Sequence, residues 1–250
     1  MQESVLPLAG RKALVVGVET PAGAAIARAL GAAGADVGLA TMRADEGVLV
    51  AKRIQRELEA AGRVAATYAF DVTLGQNVKV STRQVTKELG GLDILVSAPD
   101  RFFAAPLGRT TDSDLQQVMT VNAYAHLFAV RAAADEFRRA GGGRALLIVH
   151  GAAEAGLAGA AAYAAAQAAA LNLARSLAEE LRPQSVGVDA LVVGAATWAD
   201  VEAGALAPVL PGAAAEVLGR LVVDMLTSAP AITGRLEHLD AHIMEAARGQ

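Results

Sequence analysis

Gly17-Val-Glu-Thr-Pro21-Ala-Gly23 follows directly on the apolar run KALVV and precedes an Ala-rich stretch. Glycines at a strand-to-helix turn let backbone amides approach an anion closely, and the helix that follows turns its positive dipole end toward it. That is pyrophosphate-binding chemistry, although a tight strand-to-helix turn needs glycine on steric grounds alone. A carboxylate about 20 positions further on would accept a hydrogen bond from an adenosine ribose. Asp36 has that spacing but opens its strand, at the end remote from such a ligand. The carboxyl end of the strand carries the uncharged Thr41, and Arg43 follows it. Arg43 is placed either to meet a 2′-phosphate or to lie solvated in a loop, so the pattern leans to NADP over NAD.

Composition removes other chemistries. The chain has no Cys, which excludes disulfides, thiolate nucleophiles and cysteine zinc sites. His126, His238 and His242 show no helical pairing with carboxylates, so no metal site is expected and core or solvated positions are the reading for them. The net charge is −4, with Lys and Arg scattered, which gives no surface for nucleic acid or an anionic membrane.

The elements that must position these residues follow from hydrophobic periodicity. Short apolar runs alternate with longer amphipathic ones, the pattern of βα units and a parallel sheet. Strands are expected at Lys12–Gly17, Asp36–Thr41, Arg63–Phe70, Leu92–Val96, Arg144–Val149, Val186–Val193 and Ile232–Leu239. Helices are expected at Pro21–Ala33, Asp45–Ala61, Leu74–Leu89, Asp112–Ala140 (Asp112 its N-cap), Ala160–Leu181 and Ala213–Leu226. The fold class is therefore α/β: one Rossmann-type, doubly wound parallel sheet of about seven strands with helices on both faces, a single domain over residues 1–250. Glu154–Arg175 is free of charge within its ends and long enough to span a bilayer, but its Ala, Gly, Gln and Asn supply little transfer energy. A buried helix is expected there, in a cytoplasmic protein without a signal peptide. A loop near Ala203–Gly212 has the composition of a lid.

Further segments, taken with the glycine turn, resemble the short-chain dehydrogenase/reductase family. Gly17 and Gly23 stand at the first and third glycines of its TGxxxGxG turn, with Pro21 at the second. Asp71, in FDVT, resembles the Asp that contacts the adenine ring. LDILVSAPD resembles LDVLVNNAG, with Ser97-Ala98-Pro99-Asp100 in place of NNAG. Asn122 lies where the family has a helix-kinking Asn, Tyr163 heads a segment like YxxxK, and VDALVVG resembles VNAVAPG. The resemblance runs nearly the full chain. It implies an NAD(P)-binding oxidoreductase acting on a small carbonyl or alcohol, assembled as a homodimer or homotetramer through its long helices.

The departures fall on the chemistry. Where the resemblance implies a Ser, thirteen positions before the Tyr, the chain has His150; where it implies a Lys, four positions after, it has Gln167. Bringing a phenol from a pKa of about 10 to near 7 takes roughly 4 kcal/mol, which a neighbouring ammonium can supply and a neutral amide cannot. Tyr163 is then expected to stay protonated, an acid for carbonyl reduction and a poor base for alcohol oxidation. Gln167 retains the capacity to hold a ribose through its amide. His150 has three readings: a neutral hydrogen-bond donor to substrate, an imidazolium beside Tyr163, or a cap on the strand end. The functions that follow are a weakened reductase using Tyr163, His150, Asn122 and Gln167; a non-catalytic ligand-binding or partner subunit; and a non-redox enzyme with His150 as base. The loop about Ala195–Gly212, with Trp198, is where substrate selection is expected.

Overall fold

The computed structural model describes residues 6–194, 212–228 and 233–240. Seven parallel strands form one sheet in the order β3-β2-β1-β4-β5-β6-β7. They are β1 (Lys12–Val16), β2 (Asp36–Thr41), β3 (Ala65–Ala69), β4 (Ile94–Ser97), β5 (Gly143–His150), β6 (Val186–Val193) and β7 (Leu236–His238). The helices are α1 (Pro21–Ala32), α2 (Gly47–Ala60), α3 (Gly75–Leu89), α4 (Asp112–Met119), α5 (Ala125–Ala140), α6 (Ala161–Leu181) and α7 (Gly212–Thr227).

Alternate side chains of each strand point to opposite faces, and each face has its own core. Leu14, Val16, Leu95 and Leu147 pack with Val78 of α3, Ala133 of α5 and Ala174 of α6. Val15, Leu39, Val96 and Ile148 pack with Ile26 of α1, Ile54 of α2 and Val222 of α7. Strands apolar on both faces are what a parallel sheet covered by helices demands. Strand order reverses between β1 and β4, and open α/β sheets bind their ligands in the crevice at such a switch point.

Three expectations change. The helix expected over Asp112–Ala140 is interrupted by one π-helical turn, Thr120–Tyr124. Asn122 causes it: its Nδ2 donates to the carbonyls of Val118 and Arg101, both at 3.0 Å, and its Oδ1 accepts from Arg101 N at 2.8 Å. A side chain inserted into the helical ladder bends the helix there. The N-cap of α4 is Thr111, in a capping box with Asp114, and not Asp112; a side chain one position earlier reaches the amide at the third helical position. The last strand contracts to Leu236–His238, while the lid segment, Trp198 and His242 lie outside the described residues.

The Ala-rich stretch forms α6, whose buried face carries Ala162, Tyr163, Ala166, Gln167, Ala170, Leu171 and Ala174. Small side chains along that stripe let the helix lie close to the sheet, and the four-residue spacing puts Tyr163 and Gln167 one above the other. Among the described residues, no helix is long and apolar enough to cross a membrane.

His126 of α5 is fully buried, and neither ring nitrogen has a hydrogen-bond partner among the described residues. Burial lowers its pKa to about 3. A histidine whose folded pKa is depressed keeps its full stability above the unfolded value of about 6.5 and loses it as pH falls toward 3, at up to about 1.4 kcal/mol per pH unit. His126→Leu fills similar volume with no polar atom. Urea unfolding at pH 7 and pH 5 is expected to show this variant more stable by about 1 kcal/mol at pH 7, with a shallower acid loss. An unchanged acid slope would overturn the assignment.

Candidate active site

The site lies over the carboxyl ends of β1, β4 and β5, closed on one side by α6. β1 runs into Gly17, whose φ of 82° suits glycine, and a Cβ there would stand 2.5 Å from Ala98 O. α1 begins immediately: Thr20 caps it, its Oγ1 accepting from Gly23 N at 3.0 Å while donating to Gly17 O at 2.8 Å. A Cβ on Gly23 would stand 2.2 Å from Gly17 O, so the turn closes on itself only with hydrogen at both positions. Pro21 at the first helical position carries no N–H. The helix end therefore keeps its dipole but offers fewer free amides to an anion, because one is missing and Thr20 occupies another.

β5 delivers His150 and α6 delivers Tyr163 and Gln167. All three are buried together with Asn122, Tyr163 and Gln167 each being 1% exposed. The Gln167 amide is bound at both ends: Oε1 accepts from His150 N at 2.9 Å, and Nε2 donates to Asp100 Oδ1 at 3.2 Å and Asn122 Oδ1 at 3.3 Å. It braces the end of β5, the π turn and the loop after β4 against one another, so the ribose contact open to it in sequence would require breaking internal bonds. His150 Nδ1 accepts from Ala152 N at 3.1 Å and caps a short helical turn, Gly151–Ala153. The neutral ring then carries its proton on Nε2, which faces Gly194. An imidazolium would lose the bond that Ala152 N–H donates to Nδ1. The ring lies 5.6 Å from that of Tyr163, tilted by 56°.

Asp100, which follows β4, completes the site. Tyr163 Oη donates to Asp100 Oδ1 at 2.8 Å, on the same oxygen that receives Gln167 Nε2. Where the family resemblance implies an ammonium near the phenol, a carboxylate stands instead. Burial, then the Asp100 charge and hydrogen bond, push the Tyr163 phenol well above its ordinary range. Burial also raises the Asp100 carboxyl, with the Tyr163 hydrogen bond opposing. Phe102 packs edge-on to Tyr163, ring centres 5.2 Å apart, and covers its other side. Sequence reasoning assigned neither Asp100 nor Phe102 a role; the available signal was a carboxylate three residues past the apolar strand β4.

A cleft of about 620 Å³ runs from the end of β2 to this cluster, lined by Glu19, Met42, Arg43, Asp45, Asp100 and Arg101 among others. Arg43 is on its wall, as sequence allowed, whereas Thr41 is buried with its hydroxyl donating to Arg43 O at 2.6 Å. Asp71 Oδ1 accepts from Thr73 N at 3.0 Å and Oγ1 at 2.5 Å, ordering the turn into α3. A larger groove of about 850 Å³ between α1 and α7, lined by alanines interspersed with Arg28, Glu216, Arg220 and Asp224, lies away from these groups; size alone does not mark the site.

Residues 11–204 match the family model for short chain dehydrogenases. The chain belongs to that family. Among curated relatives, the short-chain dehydrogenase chain is 33% identical over 186 residues to a hydroxynaphthalene reductase of Aspergillus fumigatus, covering 74% of this chain and 66% of that protein. It is 29% identical to an L-2,3-butanediol dehydrogenase of Corynebacterium glutamicum, covering 76% and 75%. Among solved structures, a metagenomic short-chain oxidoreductase in complex with NADP superposes with a TM-score of 0.78 at 28% identity over 93% of this chain and 98% of that one. The acetoin dehydrogenase of Enterobacter cloacae gives 0.80 at 26% over 95% and 96%.

Proposed function

We propose that the chain is a nicotinamide-dependent reductase of a small carbonyl compound, with Tyr163 as proton donor and with turnover held low by Asp100. Family membership supports the oxidoreductase class, and the 2.8 Å contact between Tyr163 Oη and Asp100 Oδ1 carries the finer reading. Gly17, Gly23, Glu19 and Arg43 would hold the dinucleotide. The fit is supported by a glycine turn that admits close approach and by a buried carboxylate oxygen of Glu19 without a partner among the described residues. A bound nicotinamide supplies the hydride. The protein's task is the proton.

Tyr163 stays protonated, which leaves it available as a weakened acid toward a substrate oxygen and excludes efficient alcohol oxidation. Donation leaves a phenolate beside Asp100. Two unit charges at about 2.8 Å repel by roughly 6 kcal/mol at an effective dielectric of about 20. Protonated Asp100 removes that repulsion and can return a proton to Tyr163. Asn122 and Gln167 position the pair, and His150 flanks the phenol ring.

The sign of the pH dependence follows. Asp100 inhibits when ionised, so reduction accelerates as pH falls through its raised pKa, by up to about tenfold per unit for one proton. Initial rates of NADH and NADPH oxidation with short ketones and aldehydes between pH 8.5 and 5.5 check this. A rate that climbs with pH, or an alcohol oxidised at pH 7 as fast as its ketone is reduced, would sink the reading. An apo-subunit role is the outcome if neither nucleotide binds at millimolar concentration.

A further inference from the structure

We propose that Glu19 sets cofactor choice, accepting hydrogen bonds from an adenosine ribose diol and so favouring NAD(H) over NADP(H). The inference rests on the oxidoreductase reading and reverses the preference that Arg43 implies in sequence.

Glu19 belongs to the turn between β1 and α1, yet its side chain reaches the neighbouring strand: Oε1 accepts from Met42 N at 2.6 Å, the residue just beyond β2. That is the end of β2 at which a ribose-binding carboxylate is sought. It is vacant of charge in the strand itself, because Thr41 is buried and its hydroxyl is engaged with Arg43 O. The carboxylate thus arrives from a different segment. Its second oxygen, Oε2, is buried and has no hydrogen-bond partner among the described residues. A buried carboxylate oxygen left unbonded is costly, and an O–H donor from a ligand relieves it. Burial raises the Glu19 pKa, with the Met42 N–H opposing and the nearby Asp45 charge adding to it.

The surroundings decide which donor. A ribose 2′,3′-diol brings two hydroxyls and no charge. A 2′-phosphate brings about −1.5 to −2 charges, and the cleft already holds Glu19, Asp45, Glu46 and Asp100 against the guanidinium groups of Arg43 and Arg101, the second of which donates to Gln117 Oε1 at 2.8 Å. Asp45 Oδ1 accepts from Gly47 N at 2.9 Å, and Gly47 packs close to both side chains: a Cβ on it would lie 3.0 Å from Glu19 Cβ and 3.1 Å from Asp45 Oδ1. Arg43 is exposed and free to swing away, whereas Glu19 is latched to Met42.

Isothermal titration of the full chain with NADH and with NADPH at about 0.15 M salt tests the assignment without reference to turnover. NADH is expected to bind at least about tenfold tighter than NADPH. Glu19→Gln should weaken NADH by about tenfold or more, the usual effect of losing a charged acceptor, while tightening NADPH several-fold. Arg43→Ala, an exposed change that leaves the turn intact, should weaken NADPH by a larger factor than it weakens NADH. Thermal melts of each variant separate lost binding from lost fold. Tighter NADPH binding by the unaltered chain, or equal affinities that Glu19→Gln leaves equal, overturns the role of Glu19 while sparing the oxidoreductase reading. Binding of neither nucleotide overturns both.

Discussion

Asp100→Asn is expected to raise the rate of carbonyl reduction at pH 7.5 by about 10²-fold or more. The asparagine keeps a carbonyl oxygen where Asp100 Oδ1 now accepts from Tyr163 Oη and Gln167 Nε2, so the hydrogen-bonded frame survives while the charge goes. Removing a repulsion of several kcal/mol from the phenolate side of proton transfer lowers the barrier by part of that amount, and each 1.36 kcal/mol or so is a factor of about ten. Solvent reorganisation and the residual polarity of the amide reduce the return, which is why about 10² and not the full Coulomb figure is expected. The acid-side rise of the parent protein should flatten in the same variant, because the titrating group is gone. Tyr163→Phe in the Asp100→Asn background should remove the gain, by the 10²- to 10⁴-fold typical of a lost general acid–base group. Measurement of kcat/KM with NADH and one ketone at five pH values covers all three statements. If Asp100→Asn leaves the rate unchanged while Tyr163→Phe still lowers it, Asp100 is only a brace. If Tyr163→Phe has no effect in either background, the proton comes from elsewhere.

Gly23→Ala is the second large effect. The added methyl would meet Gly17 O at 2.2 Å and Gly17 C at 2.9 Å, and Thr20 Oγ1 at 3.0 Å. The first two are backbone atoms of the turn, so relief requires moving the chain between β1 and α1 and not merely a rotamer. Overpacking of this kind costs about 1–3 kcal/mol, and the Thr20 cap on Gly23 N, worth about 1 kcal/mol, is disturbed with it. Urea unfolding should register a loss of about 2–4 kcal/mol. Nucleotide affinity should fall by at least about tenfold, since the amides of this turn no longer line the crevice at the switch point. Ala24→Gly, one position on, is the matched control: it lowers helix propensity by at most about 1 kcal/mol and leaves the turn alone. A Gly23→Ala protein with parental stability and nucleotide affinity would show the turn to be looser than its geometry indicates.

Much of the scaffold was legible in the residues. Alternation of apolar runs with amphipathic stretches gave the strands and helices because burial on two faces and on one face leave different periods in the chain. The break in the long helix at Asn122 was implied only through resemblance, since periodicity runs smoothly through Thr120–Tyr124 and the kink arises from a side chain bonding to Arg101, 21 positions away. The true cap of α4 was missed by one residue for a similar reason: Thr111 and Asp112 are both competent caps, and backbone angles choose between them.

For the site, the chain by itself determined that Tyr163 and Gln167 share a face, that His150 ends a buried strand, and that no ammonium follows the tyrosine by one turn. Those are statements about neighbours along a helix or strand. Tertiary structure alone decided that Asp100 meets Tyr163, 63 positions away, and that Glu19 lies against Met42, 23 positions away. Both carboxylates stand in loops at the carboxyl ends of parallel strands, and which loops become adjacent depends on strand order, with β1 flanked by β2 and β4. Local periodicity fixes which way a side chain points; the order of strands fixes what it meets, and at the centre of this cleft what it meets reverses the sign of the charge beside the phenol.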